Sequence, residues 1–248
     1  MTGFRVLADS TAVAVAAADR FVETVRDAIE ERGAARVALS GGGTPKQVYP
    51  LLLEPARRDA IDWSRVEFFW GDERAVPPDH PDSNFGVAYR MLLSHLPGVR
   101  PDRIHRMPAE ADDLAVAALT LESEMRLGFE ARAGELPSFD LIWLGMGPDG
   151  HTASLFPGST ALDERERWVV ATWAPGPQAW RMTLTFPVVN AARHVLFVVT
   201  GADKASVLRR VRAGDQELPA ARVSGEMVEW IVDEAAAGGA GLPRPRGT

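Results

Sequence analysis

Asp149 and His151 stand two residues apart in GPDGHTASLFPG, Gly147 to Gly158, with Gly150 between them. An imidazole with an ordinary pKa of about 6.5 can take up and return a proton near neutral pH. A carboxylate two positions earlier can turn the ring and select its tautomer. Three other short sequences carry comparable chemistry. SGGGTPK, Ser40 to Lys46, has the glycines that let backbone N–H groups converge on an anion, with a helix start beside them. GDER, Gly71 to Arg74, offers Arg74 as a clamp for a phosphate or carboxylate. Asp72 of the same segment could hold a sugar hydroxyl or move a proton. Arg181 opens RMTLTF, and Lys204 follows HVLFVVTGAD at a helix start, where a cation opposes the helix dipole unless an anion joins it.

Other chemistries lack their residues. GMGPDG, Gly145 to Gly150, fits GxGxxG by letter, but Pro148 and Asp149 occupy the place of the pyrophosphate. The next apolar run, WVVATWA, ends in no acid that could hold a ribose. HxxxH and HExxH spacings do not occur, and no GxSxG elbow is present, so neither a metal nor a serine nucleophile is expected. His80, His95, His105 and His194 have no comparable setting and read as structural or solvent-facing. The chain has no cysteine, which removes disulfides and thiolate metal sites. A formal charge of −7 speaks against a nucleic-acid partner, though a local basic cluster could still bind a small anion. No apolar run approaches the roughly 20 residues of a membrane span, and MTGFRVLADS lacks signal-peptide patterning. The expectation is a soluble cytoplasmic protein with no membrane partner.

The elements that would position these groups alternate. FRVLAD reads as a strand and Ser10 to Arg32 as an alanine-rich helix, capped by Ser10 and stopped at Gly33. ARVALSGG is a strand, followed by a helix with Pro45 near its start; VEFFWGDE is a third apolar run. DSNFGVAYRMLLSHL reads as a helix capped by Asp82 or Ser83, and Ala109 to Arg132 as a long amphipathic helix. FDLIWLGMG, WVVATWA, RMTLTF and HVLFVVTG read as strands, ADKASVLRRVRA as a helix, and MVEWIVDEAAA as a last strand or helix. Continuous apolar strands alternating with helices predict an α/β fold: an open, mostly parallel Rossmann-like sheet with helices on both faces, plus a smaller β-containing C-terminal subregion. One domain over 1–237 is expected, with 238–248 a disordered tail. In such sheets ligands sit at the carboxyl ends of the strands, and SGGGTP, GDER, GPDGHT and TGADK each follow an apolar run there. Four such segments suggest one pocket.

In order along the chain, SGGGTP, WGDERAVPPDHPDSNFG, LIWLGMGPDGHTASLFPG and RMTLTFPVVNAARHVLFVVTGADKA closely resemble the 6-phosphogluconolactonases. That family shares an α/β superfamily with the glucosamine-6-phosphate isomerase/deaminases, and the resemblance runs from about Arg5 to Ala237. It implies hydrolysis of 6-phospho-D-glucono-1,5-lactone to 6-phosphogluconate in the oxidative pentose phosphate pathway, with no cofactor. The similar deaminase loop carries a glutamate five positions after the histidine, where this chain has Phe156, which cannot carry a proton. GDER likewise resembles the lactonases. The resemblance casts His151 as the base for water, Asp149 as its support, and Asp72 as a neighbour of the ring hydroxyls. Gly42, Gly43 and Thr44, with Arg74, Arg181 and Lys204, would hold the phosphate. A small-molecule phosphosugar lactone is the expected partner, acted on by a monomer or weak homo-oligomer. The competing expectations are a glucosamine-6-phosphate isomerase/deaminase-like enzyme and a non-catalytic phosphosugar sensor.

Overall fold

The computed structural model describes residues 2–239. Strand β1 (Thr2–Leu7) and helix α1 (Ser10–Arg32) lead into β2 (Ala35–Leu39), then α2 (Gly43–Leu52) and the short α3 (Pro55–Arg58). β3 (Val66–Trp70) and β4 (Asp72–Arg74) precede α4 (Asn84–Met91) and α5 (Leu114–Gly128). β5 (Leu141–Leu144), β6 (Val169–Ala174), β7 (Ala179–Leu184) and α6 (Phe186–Asn190) follow. The described chain closes with β8 (His194–Val199), α7 (Ala205–Arg212) and β9 (Met227–Asp233). The segment MVEWIVDEAAA thus begins as a strand. Of the tail expected over 238–248, residues 240–248 lie outside the described residues.

Six strands form a sheet in the order β1-β9-β8-β5-β2-β3, and every neighbouring pair is parallel. β5 and β8 lie in its interior and are buried along their whole lengths, as strands covered on both faces must be. Their side chains alternate between two cores. Leu141, Trp143, Leu196 and Val198 join α1 on one side; Ile142, Leu144, Val195, Phe197 and Val199 join α5, α7 and the second sheet on the other. That second sheet is small and antiparallel, in the order β4-β7-β6. It supplies the smaller β subregion, drawing β4 from the chain's first third. It is joined to the large sheet through Gly71, whose N–H bonds Leu39 O (2.9 Å) while its carbonyl accepts from Leu184 N (2.9 Å).

Helix ends differ from expectation by small, explicable shifts. Asp9, rather than Ser10, caps α1, because its carboxylate reaches the Ala12 N–H (2.8 Å) and leaves Ser10 as the first helical residue. Ser83 caps α4 through the Gly86 N–H (2.9 Å). α5 is shorter than 109–132: Asp113 captures the N–H groups of Ala115 and Val116 (both 3.0 Å), fixing its start.

Glu73 is the charged residue that fixes β4 against α4. Its side chain is buried and accepts from Arg74 N (2.8 Å), Ser83 Oγ (3.0 Å), Asn84 N (2.7 Å) and Phe85 N (2.8 Å). Burial pushes this carboxyl above the ordinary glutamate value, and the backbone donors only partly offset that. A raised folded-state pKa means that the folded chain binds the extra proton. The resulting stabilisation is complete below the unfolded value of about 4.3 and fades as pH rises through the folded value. Chemical denaturation of wild type and Glu73→Gln between about pH 4 and 7 should therefore give a stability difference that shifts against wild type as pH rises. A difference that is flat, or that shifts toward wild type, would contradict this.

Candidate active site

The parallel strands β2, β5 and β8 deliver three loops to one end of the sheet. After β2 the chain passes through Ser40–Gly42 into α2, whose N-terminus has no side-chain cap. The leading N–H groups there are free to meet an anion. A Cβ at Gly41 would lie 1.7 Å from Asn84 Oδ1, so any larger residue there would displace the Asn84 amide. Tyr49, buried under the loop, donates its hydroxyl to Ser40 O (2.8 Å), and burial raises its pKa. After β5 comes the loop with Asp149 and His151. After β8 come Thr200 and Lys204, with Thr200 Oγ1 3.4 Å from Thr44 Oγ1. Together with β4 and β7 they enclose a cleft of about 410 Å³.

One wall of the cleft is cationic. Arg74 and Arg181 face each other across the β4–β7 ladder, with Asp72 opposite Thr183 one same-face step away. Like charges directly opposite on a sheet repel. Burial lowers the pKa of the half-buried Arg181, and Arg74 beside it pushes the same way against the pull of Asp72, Glu73 and Asp82. Arg74 Nη1 donates to Asp82 O (2.6 Å), while its buried Nε has no hydrogen-bond partner. Lys204 lines the same cleft, with Nζ 2.8 Å from Asp203 Oδ2. Such a wall is suited to a dianion.

The other wall carries the imidazole. His151 Nδ1 lies 2.6 Å from Asp149 Oδ1, and the same oxygen accepts the His151 N–H at 3.1 Å. Burial alone would raise the Asp149 carboxyl, but the imidazole and these donors more than offset it and hold the group below the usual aspartate range. An ionised Asp149 can only accept, so Nδ1 carries the proton between the pair, and in the neutral ring the lone pair then falls on Nε2. The turn is closed by Gly147 N to His151 O (2.9 Å), and the imidazole packs against the buried Phe156 ring, centroids 4.4 Å apart. A Cβ on Gly147 would stand 2.1 Å from the ring, so only glycine lets the imidazole lie there.

Asp149, His151, Asp72, Arg74, Arg181, Lys204 and the Gly42–Thr44 segment, singled out in the sequence, therefore meet. His151, Asp72, Arg74, Arg181, Lys204 and Gly42, Gly43 and Thr44 line the cleft itself, with Asp149 behind the ring. Asp72 is the least accessible of them. Its Oδ2 accepts from Ser154 Oγ (2.6 Å), and its Oδ1 and main-chain oxygen accept from Asn84 Nδ2 (3.2 and 2.8 Å). Ser154 and Asn84 were not singled out from the sequence. Ser154 stands three positions after His151, and that proximity was the one available signal. Asn84 read simply as part of a helix start. His194 is buried with Thr24 and Glu229, and His105 stacks on Phe69, both away from the cleft. Among the described residues no cluster of three or more histidine, aspartate or glutamate side chains is arranged to hold a metal ion.

A parallel α/β sheet with a cationic, glycine-edged cleft and a His–Asp pair at its carboxyl end defines the class. The sequence profile of the family described as Glucosamine-6-phosphate isomerases/6-phosphogluconolactonase matches residues 8–231, and the chain belongs to that family. It is 42% identical over 217 residues to the 6-phosphogluconolactonase of Synechocystis sp., covering 86% of this chain and 87% of that protein. The 6-phosphogluconolactonase of Streptomyces coelicolor is 38% identical over 245 residues, or 95% and 93% of the two chains. The solved structure of 6-phosphogluconolactonase from Trypanosoma cruzi superposes with a TM-score of 0.84 at 31% identity, covering 96% of each chain.

The geometry of the imidazole is open to a direct check. Wild type should show a low-field proton resonance for His151 Nδ1–H against Asp149. Gly147→Ala should lose it while keeping the far-ultraviolet dichroism of the native fold. Retention of the resonance in that variant would mean that the ring tolerates the methyl group.

Proposed function

We propose that the cleft hydrolyses 6-phospho-D-glucono-1,5-lactone to 6-phosphogluconate, with water activated by His151. The observation that carries the reading is the facing of the His151–Asp149 pair by the Arg74–Arg181 pair across one cleft. The names of relatives at about 40% identity support the substrate. A lactone is an activated ester, so a positioned base and water suffice without a covalent nucleophile. His151 Nε2 takes a proton as the water oxygen bonds to C1, and Asp149 stabilises the imidazolium. The carbonyl electrons move to oxygen and return as the bond from C1 to the ring oxygen breaks. The imidazolium then gives its proton to the departing oxygen, leaving a hydroxyl at C5 and a carboxylic acid at C1 that loses its remaining proton to solvent.

Arg74, Arg181 and Lys204, with the N–H groups of Gly42, Gly43 and Thr44, grip the phosphate and turn its binding into orientation of C1. Asp72 receives ring hydroxyls beside that grip. No cofactor enters the scheme. Residues 1–237 act as one α/β unit, and since a single chain supplies the whole cleft, a monomer or weak homo-oligomer is sufficient. The described helices include none long and apolar enough to cross a membrane. We place the enzyme in the cytoplasm, although several plant relatives are named chloroplastic.

His151→Ala should lose most of the acceleration over spontaneous lactone hydrolysis, about 10²- to 10⁴-fold, with its melting temperature little changed. Full activity in a stably folded variant would remove His151 as the base. Arg181→Ala should raise KM by roughly tenfold or more while leaving the pH dependence of turnover in place. Phe156 puts a phenyl ring where an isomerase or deaminase needs a proton carrier. Release of ammonia from glucosamine 6-phosphate at a rate matching lactone loss would overturn the assignment.

A further inference from the structure

Granted the lactone chemistry of the cleft, its two working ends belong to different sheets. His151 is on the loop after β5 of the large sheet, whereas Arg74 and Arg181 are on β4 and β7 of the small one. Their separation must match the span from the phosphate to C1, and something must hold it. Within the loop of residues 145–158, Ser154 alone hydrogen-bonds the small sheet. Its N–H donates to Thr183 Oγ1 (3.2 Å) and its Oγ to Asp72 Oδ2 (2.6 Å). Asp72 and Thr183 are register partners, and Arg74 and Arg181 are the next pair on the same face, about 7 Å along the strands. Ser154 is thus seated one same-face step from the guanidinium pair and three residues from the imidazole.

The backbone leading to that seat is strained. Ala153, between His151 and Ser154, lies in the left-handed region at φ 47°, a conformation unfavourable for a residue with a Cβ. Strain of this kind persists where the surroundings over-determine it. Here the two bonds of Ser154 do so, at a side chain only 1% exposed.

We infer that Ser154 is a positioning residue that fixes the distance between the base and the phosphate grip, and with it the length of phosphosugar lactone that the enzyme turns over. Ser154→Ala removes the bond to Asp72, and Thr183→Val removes the bond to the Ser154 N–H. In each, kcat on 6-phosphogluconolactone should fall at least about tenfold, because sub-ångström misplacement of the base is costly. The inhibition constant of inorganic phosphate, which reports the grip alone, should move less than about threefold. Selectivity against a five-carbon 5-phosphate lactone should narrow. Thr183→Ser, which keeps the hydroxyl, should restore kcat even if Ser154→Ala folds poorly.

Unchanged kcat in a folded Ser154→Ala would overturn the assignment. So would a kcat loss matched by an equal weakening of phosphate, or Thr183→Ser as impaired as Thr183→Val. Wild type serves as the control that separates the two ideas. If it fails to hydrolyse the lactone, both fall. If it is active while Ser154→Ala behaves identically, only the positioning role is lost.

Discussion

Two guanidiniums held opposite each other on adjacent strands repel, and the cleft is organised around containing that repulsion. Arg74 and Arg181 are pinned in register by the β4–β7 ladder, so neither can move away from the other along the sheet. The fold answers with carboxylates on the same short strand. Asp72 lies one same-face step from the pair, and Glu73 is buried behind it against the start of α4. Neither acid forms an ion pair with the guanidiniums, so the positive potential remains directed into the cleft. A protein of formal net charge −7 thereby presents a local cationic surface suited to an anion.

The joint between the two sheets follows from the same requirement. The large sheet is stiff, with its interior strands buried on both faces and alternate side chains committed to separate cores. The small sheet is short and has one face on a core. Gly71 couples the two through Leu39 and Leu184, and Ser154 couples them again beside the site. The groups proposed to meet the two ends of the substrate are thus carried by separate sheets that share one core but are hydrogen-bonded to each other at few points.

Much of this was legible in the sequence, for identifiable reasons. β5 and β8 announce themselves as unbroken apolar runs because both of their faces are buried. The loops after β2, β5 and β8 stand out because glycine, aspartate, histidine and lysine interrupt those runs abruptly. Helix ends were less legible, as Asp9 and Ser10 are both good caps and only geometry decides between them. The extent of α5 was overestimated because Asp113 sits within a stretch that otherwise reads as helical. The small sheet was legible only as an unspecified β subregion, since β4 has three residues and pairs with a strand about a hundred positions later. Ser154 and Asn84 gained meaning only when that pairing brought Asp72 to them.

Phe156 joins reaction type to folding in one side chain. It is 6% exposed and packs at a tilt against the His151 ring. A carboxylate placed there would be desolvated and would lie against the imidazole that the proposed mechanism uses to accept a proton. Converting this site to chemistry that needs a second proton carrier would thus require loosening the hydrophobic backing of the first.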